Sequence, residues 1–431
     1  MLVSTRPRPF RSSIALAAAA FLLAGAAFSI HAAALPEAAP EDVGMSSKRL
    51  ALIDTAMNKA VESGELPGAV VFIARGGKLA YAKSFGWQDK EKKIPMRSDS
   101  IFRLYSMTKP IVSVAAMMLV EEGKIGLQEP VSKYIPEFKE MQVGIEETDA
   151  STGLPGLKLV PAKRQITIQD LLRHTSGLTY GVLGPPTAIR KMYNEAEIFS
   201  QKWVLADFAK AIAKMPLMFE PGTAWEYGHS SDVLGRVVEV ASGKTLDVFF
   251  SERIFKPLGM VDTAFQVAPD KVDRLAQPIP DAYTGKTPEL LDLTKPQTFF
   301  AGGHGLVSTA ADYLRFAQML ENGGQLDGAR ILGRKTVEYM SANHVNERIN
   351  KGTWLPGFGY GFGLGFATRL EIGQSEWPGS PGEFFWAGFA GTYFWVDPQE
   401  ELVPVFLSQE PMRRQYYRIQ MRNLVYQAII E

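Results

Sequence analysis

The sequence predicts an α+β fold: an antiparallel β-sheet flanked by an N-terminal and a C-terminal helix, with a mainly helical subdomain inserted. Three observations predict it. A helical pattern followed by a hairpin signal opens the folded part of the chain, β-rich runs and a last helix close it, and helical spacing dominates between them. Both ends then build one sheet from residues 35–105 and 305–431, with residues 106–304 as the helical insertion. Catalytic groups are expected at the seam of two such units.

Asp42 to Ser63 reads as a helix. Leu50, Ile53, Met57 and Val61 recur near helical spacing, Ser46 or Ser47 stands where a cap belongs, and Gly64 stops it. Two β-rich runs follow, Ala69 to Ala74 and Lys78 to Phe85, with the hairpin signal Gly76-Gly77 between them. Ile101 to Tyr105 leads into a helix from about Ser106 to Glu122, with Pro110 in its first turn. Helical patterns continue at Ile168 to His174, Val204 to Met215, Val233 to Ala241, Leu246 to Phe255 and Ala310 to Asn322. Pro155-Gly156 and Pro221-Gly222 read as turns. Tyr360 to Phe366, Glu383 to Phe389, Thr392 to Val396 and Leu402 to Leu407 are rich in aromatic and β-branched residues and read as antiparallel strands. A helix from Met412 to Ile430 ends the chain.

Bulk properties exclude several classes. Lys plus Arg total 46 and Asp plus Glu total 46, so no electrostatic case arises for nucleic acid or an anionic membrane. With no cysteine there is no disulfide, no thiolate metal site and no cysteine nucleophile. The N-terminus carries Arg6, Arg8 and Arg11, then an apolar run from about Ile14 to Ala27, then Ala32, Ala33 and Ala34. A basic start, a short apolar middle and a small-residue cleavage site make a secretory signal over residues 1–34. The expected location is periplasmic or secreted, with no membrane attachment once the signal is cut.

The chemistry starts at Ser106-Met107-Thr108-Lys109, the only Ser-x-x-Lys in the chain. Serine and lysine at i and i+3 share a helix face, so the ammonium can reach the hydroxyl. A helix start offers free N–H groups to developing negative charge. A serine hydroxyl is a poor nucleophile until a base or cation assists it. On this segment alone a capping serine beside a solvated lysine fits equally well.

Further along, the chain resembles the serine β-lactamase and penicillin-binding protein superfamily, nearest the class C-like branch with the family VIII carboxylesterases. The resemblance runs from about Leu66 to Leu407. It rests on Phe102-Arg103-Leu104-Tyr105-Ser106-Met107-Thr108-Lys109-Pro110, on Leu171-Leu172-Arg173-His174-Thr175-Ser176-Gly177-Leu178, and on the Tyr227 of Pro221-Gly222-Thr223-Ala224-Trp225-Glu226-Tyr227. It also rests on Gly302-Gly303-His304-Gly305-Leu306-Val307-Ser308-Thr309 and on Trp386-Ala387-Gly388. The resemblance implies a β-lactamase/transpeptidase-like fold and a covalent acyl-enzyme on Ser106. Lys109 and Tyr227 would share proton management, and the backbone N–H groups of Ser106 and Phe389 would form the oxyanion hole. It requires no metal or organic cofactor.

Departures from the family pattern bear on substrate. The family generally carries lysine at the start of the third motif, where it helps bind a carboxylate; here Trp386 offers an apolar wall. The second motif often reads Tyr-x-Asn; here it is Tyr227-Gly228-His229. Both changes favour esters over β-lactams. Trp386, Ala387 and Gly388 are expected beside the substrate, with Tyr180, Leu183 and His229 around the pocket. The expected partner is a small-molecule ester or amide. The expected activity is a carboxylesterase on short-chain or aryl esters. The alternatives are a class C-type β-lactamase or D-amino-acid peptidase, an acyltransferase, and a non-catalytic receptor module. Gly228-His229-Ser230-Ser231-Asp232 imitates the Gly-x-Ser-x-Gly elbow of α/β-hydrolases but ends in Asp and lacks the preceding apolar strand. His174, His229, His304 and His344 are scattered, with no His-Glu-x-x-His pair.

Overall fold

The computed structural model describes Met1 and residues 34–148, 155–281 and 284–431. The expected signal segment falls almost wholly outside the described residues.

The first helix, α1 (Ser47–Glu62), is capped by Ser46, whose side chain accepts from the Arg49 N–H. It buries Leu50, Ile53 and Met57 as the spacing implies, with Ala60 as the fourth buried residue and the expected Val61 only partly buried. Next come β1 (Gly68–Arg75) and β2 (Lys78–Asp89), joined through Gly76 and Gly77 at φ 57° and 71°. A two-residue turn with both central φ values positive matches the twist of the flanking strands, and glycine adopts it without strain. A short β3 (Ile94–Pro95) continues from β2. At the other end of the chain lie β4 (Tyr360–Phe362), β5 (Ala367–Arg369), β6 (Phe384–Ala387), β7 (Tyr393–Val396) and β8 (Leu402–Ser408).

These form one eight-stranded antiparallel sheet in the order β4-β5-β6-β7-β8-β1-β2-β3. The two chain ends meet at β8 and β1, where Val71 pairs with Phe406 and Ala69 with Ser408. β1 is buried along its length except at Arg75, so it is an unbroken apolar run instead of an alternating one. α1 packs on β1 and β2 and against the last helix, α5 (Arg414–Tyr426); α4 (Ala310–Glu321) packs on β1, β7 and β8. Between the two groups of strands lie α2 (Thr108–Glu121) and α3 (Ser230–Ser242), which pack on each other.

Two expectations need correction. Pro155-Gly156 is not a turn: it starts a strand, Pro155–Pro161, paired with Gln142–Thr148. Proline tolerates a strand's first residue, which is where Pro155 sits. The helix expected from Ser106 begins at Thr108, and Ser106 lies in a tighter turn, Tyr105–Met107, before it.

One buried ionic cluster ties α5 to the sheet. Glu383 has no exposed surface and accepts from Arg369 Nε at 2.8 Å, from the Tyr426 hydroxyl at 2.7 Å, and from Arg422 and Tyr360. Removing one partner of such a cluster leaves the others as uncompensated buried charge. Glu383→Ala is therefore expected to cost about 3–5 kcal/mol of stability, read from the urea midpoint. A loss under 1 kcal/mol would show the two guanidiniums regain solvent at little cost.

Candidate active site

Ser106 is positioned by the segment before it. Phe102–Arg103 pairs with Val307–Ser308, and the Leu104 N–H donates to the Leu306 carbonyl at 2.9 Å. Tyr105 is held at φ 48°, a left-handed conformation unusual outside glycine, and its hydroxyl accepts from the Leu291 N–H at 2.9 Å. Behind the turn, Tyr313 donates to the Met107 carbonyl at 2.9 Å.

Lys109 is 1% exposed and donates to three oxygens: Ser106 Oγ at 3.1 Å, the Tyr180 hydroxyl at 2.9 Å and the Gly303 carbonyl at 2.7 Å. That uses all three ammonium protons. Its Nζ also lies 4.6 Å from the centre of the Tyr227 ring, a cation–π position, and makes no hydrogen bond to that phenol. The Tyr227 oxygen instead accepts from Trp386 Nε1 at 3.3 Å. The third motif thus reaches the second through the indole N–H, at the residue that replaces the family's lysine.

The two expected oxyanion donors come from segments that touch. Gly388 lies against the backbone before Ser106. A Cβ there would sit 2.1 Å from the Leu104 carbonyl oxygen, so no side chain fits. Arg418 of α5 donates to the Gly388 carbonyl. In a trans peptide C=O and N–H point oppositely, so the bond that anchors this carbonyl turns the Phe389 N–H away from α5. Neither the Phe389 nor the Ser106 N–H has an acceptor among the described residues.

Ser106, Tyr227, Trp386, Ala387, Gly388 and Phe389 line one cavity of roughly 370 Å³, together with Leu183. Trp377, Phe385 and Tyr393 extend its aromatic wall. Met412, Arg414, Gln415, Arg418 and Ile419 close it from the C-terminal end of the chain. The α5 residues were not foreseen. Their one sequence signal is Arg414, Arg418 and Arg422 at i, i+4 and i+8, a single helix stripe.

Tyr180 and His229 are absent from this lining, contrary to expectation. Tyr180 is buried and turns its hydroxyl to Lys109. Burial pushes its phenol well above the ordinary range. His229 has no exposed surface, and its Nδ1 bonds Asp232 Oδ2 at 2.8 Å. Asp232 Oδ1 accepts from the Gly303 N–H at 2.8 Å, so the group that holds Lys109 is itself held by a carboxylate. Burial raises the Asp232 pKa, but the His229 hydrogen bond and the charges of His304, His229 and Lys109 outweigh it and bring it to about 2. His304 lies 3.8 Å from the same carboxylate and stacks on Phe199. Ser230, the candidate elbow serine, is buried and bonded to Ser176 Oγ at 2.8 Å.

The buried histidines make a pH prediction. Burial lowers His304 to about 4 and His174 to about 3 from an ordinary 6.5. The unfolded chain therefore takes up these protons first as pH falls. The stability from keeping the rings neutral is complete above pH 6.5 and is lost as pH drops toward the folded-state values. For His304 the loss is about 3 kcal/mol at most. Melting temperature should fall from pH 6.5 downward, and His304→Gln should flatten the fall. A variant with an unchanged slope would remove His304 from the account.

Comparison with known proteins places the chain in a family. The Beta-lactamase family model matches residues 53–423. The chain belongs to the β-lactamase family. Within it, Protein Rv1367c of Mycobacterium tuberculosis is 35% identical over 365 residues, covering 82% of this chain and 88% of that protein. Esterase EstB of Burkholderia gladioli is 32% identical over 283 residues, covering 62% of this chain and 68% of that one. Among solved structures, EstCE1, described as a hydrolase with promiscuous acyltransferase activity, superposes with a TM-score of 0.74 at 29% identity, covering 88% of this chain and 99% of that one. The fold is that of the β-lactamases and transpeptidases. The chain is an enzyme of the serine hydrolase type.

Proposed function

We propose that this β-lactamase-family enzyme is a carboxylesterase working through an acyl-enzyme on Ser106. The observation that carries the reading is the Trp386 Nε1 bond to the Tyr227 oxygen at 3.3 Å. It puts an indole where a β-lactam-binding member presents an ammonium, in a cavity with Trp377, Phe385, Phe389 and Tyr393 also in its wall.

Ser106 Oγ attacks the ester carbonyl, and the new oxyanion takes the N–H groups of Ser106 and Phe389. For the attack the Lys109–Tyr227 pair holds one proton fewer than ammonium plus phenol, so the pair takes up the Ser106 proton and returns it to the leaving alcohol. The alcohol leaves with that proton. Water then enters by the same route and frees the acid. The named activities of EstB and EstCE1 support ester hydrolysis here. The basic start and apolar run before residue 34 support export to the periplasm or beyond.

Steady-state assays should show clear turnover of p-nitrophenyl butyrate and little cleavage of nitrocefin. Nitrocefin cleavage matching ester turnover would reassign the enzyme as a β-lactamase. A second reading, acyl transfer, is favoured by the apolar cavity wall, which suits an alcohol as acceptor, and by the likeness to EstCE1. Adding an alcohol to the same assay separates the two: a transferase yields the new ester in place of the free acid.

A further inference from the structure

The cavity wall carries two guanidinium groups and no carboxylate. Arg414 and Arg418 line it, while no Asp or Glu does. Bulk charge does not explain this, because the chain is balanced. The same helix shows what a structural arginine looks like. Arg422, one turn beyond Arg418, is fully buried, donates to Tyr393 at 2.7 Å and is paired with Glu383. Arg418 has no such ion-pair partner among the described residues.

Its one hydrogen bond among the described residues goes to the Gly388 carbonyl. Its Nε is shut from solvent and bonds nothing among the described residues. Its charged or titratable neighbours are Arg414, Tyr393 and Tyr227, with no acid among them. Arg414 lies 5.0 Å from the centre of the Phe389 ring at the oxyanion segment. Glu410 is near Arg414 but spends its Oε1 on the Met412 and Arg413 N–H groups, at 2.8 and 3.1 Å.

A guanidinium whose Nε is shut from solvent and unbonded is costly unless an anion completes the group. A planar fork with free N–H groups matches a carboxylate better than any neutral group. Aromatic and aliphatic side chains elsewhere in the wall, such as Trp377, Phe385 and Leu355, fit an apolar body. We propose that the cavity selects esters whose apolar body ends in a carboxylate, with Arg418 holding the carboxylate and Arg414 reinforcing it. Cleavage is the same acyl transfer to water: the ester C–O bond breaks, and the remote carboxylate is unchanged. The inference rests on the esterase reading for its chemistry but not for its binding.

The test uses mono-p-nitrophenyl esters of hexanedioic, octanedioic and decanedioic acid. Each is compared with the same ester after methylation of the free carboxylate. The quantity read is the ratio of kcat/KM, anionic over capped. For at least one chain length the wild-type ratio should be about tenfold or more, falling with added salt. Arg418→Gln should bring it to about one, and Arg414→Gln should lower it. A wild-type ratio near one at every length overturns the proposal. So does a ratio that survives in Arg418→Gln while both rates drop together, since that would make Arg418 only the anchor of Gly388.

If neither ester turns over, the esterase reading has failed and binding still decides. Calorimetry on Ser106→Ala with the same ester pairs should find the anionic member about tenfold tighter, and the added Arg418→Gln should erase the difference. Equal affinities overturn the proposal independently of activity.

Discussion

Replacing Ser106 by Ala is expected to lower kcat/KM for p-nitrophenyl butyrate about 10⁴-fold or more. The cavity, the Phe389 N–H and the buried Lys109 all remain in the variant, so what is lost is the covalent route alone. The Ser106 hydroxyl receives the Lys109 ammonium at 3.1 Å. Among the described residues no other serine lines the cavity, and Ser230 is buried against Ser176. Residual turnover would come from water attacking an ester held in the same donors. Mass spectrometry of wild type mixed with the ester should find an acyl adduct on the peptide holding Ser106 and none in the variant. Activity within tenfold of wild type would overturn the nucleophile assignment.

Lys109→Met should lower kcat about 10³-fold with KM changed little, the range expected when a proton-managing group is lost. Methionine fills similar volume without a charge. The Gly303 carbonyl and Tyr180 hydroxyl lose their donor, and Asp232 loses one of the cations that hold its pKa down. The variant should unfold at a lower temperature, because a buried carbonyl is left unpaired. Lys109→Arg should fail as well, since a guanidinium is larger and a planar fork does not match three oxygens arranged around one nitrogen. Both kinetic constants must be measured, because a fall carried wholly by KM would mean that Lys109 binds substrate instead of activating Ser106.

Local patterns were legible wherever one short segment decides its own structure. The hairpin at Gly76-Gly77, the cap at Ser46 and the strands that close the chain were all readable, because turn chemistry and alternation act over a few residues. Pro155-Gly156 carries a turn signal because Pro-Gly usually marks one; pairing of Pro155–Pro161 with Gln142–Thr148 overrides that preference. Tyr180 was placed on the pocket wall for a similar reason. Its loop could be recognised, but the direction of its hydroxyl depends on Lys109, seventy-one positions away.

The order Ser106, Lys109, Tyr227 and Trp386-Ala387-Gly388 determined the family from the sequence alone, because a nucleophile, its proton-managing groups and a donor strand stand in short segments that can each be read locally. Only the tertiary structure decided what supports them and what shapes the cavity. Asp232 holds Gly303, and Gly303 holds Lys109. Arg414 and Arg418 reach the cavity from the chain's last helix. These are contacts between segments far apart in sequence, and for the arginines they follow from the Arg422 bonds to Tyr393 and Glu383 that hold α5 in place. A charged helix stripe looks the same in sequence whether it faces water, a buried carboxylate or a substrate.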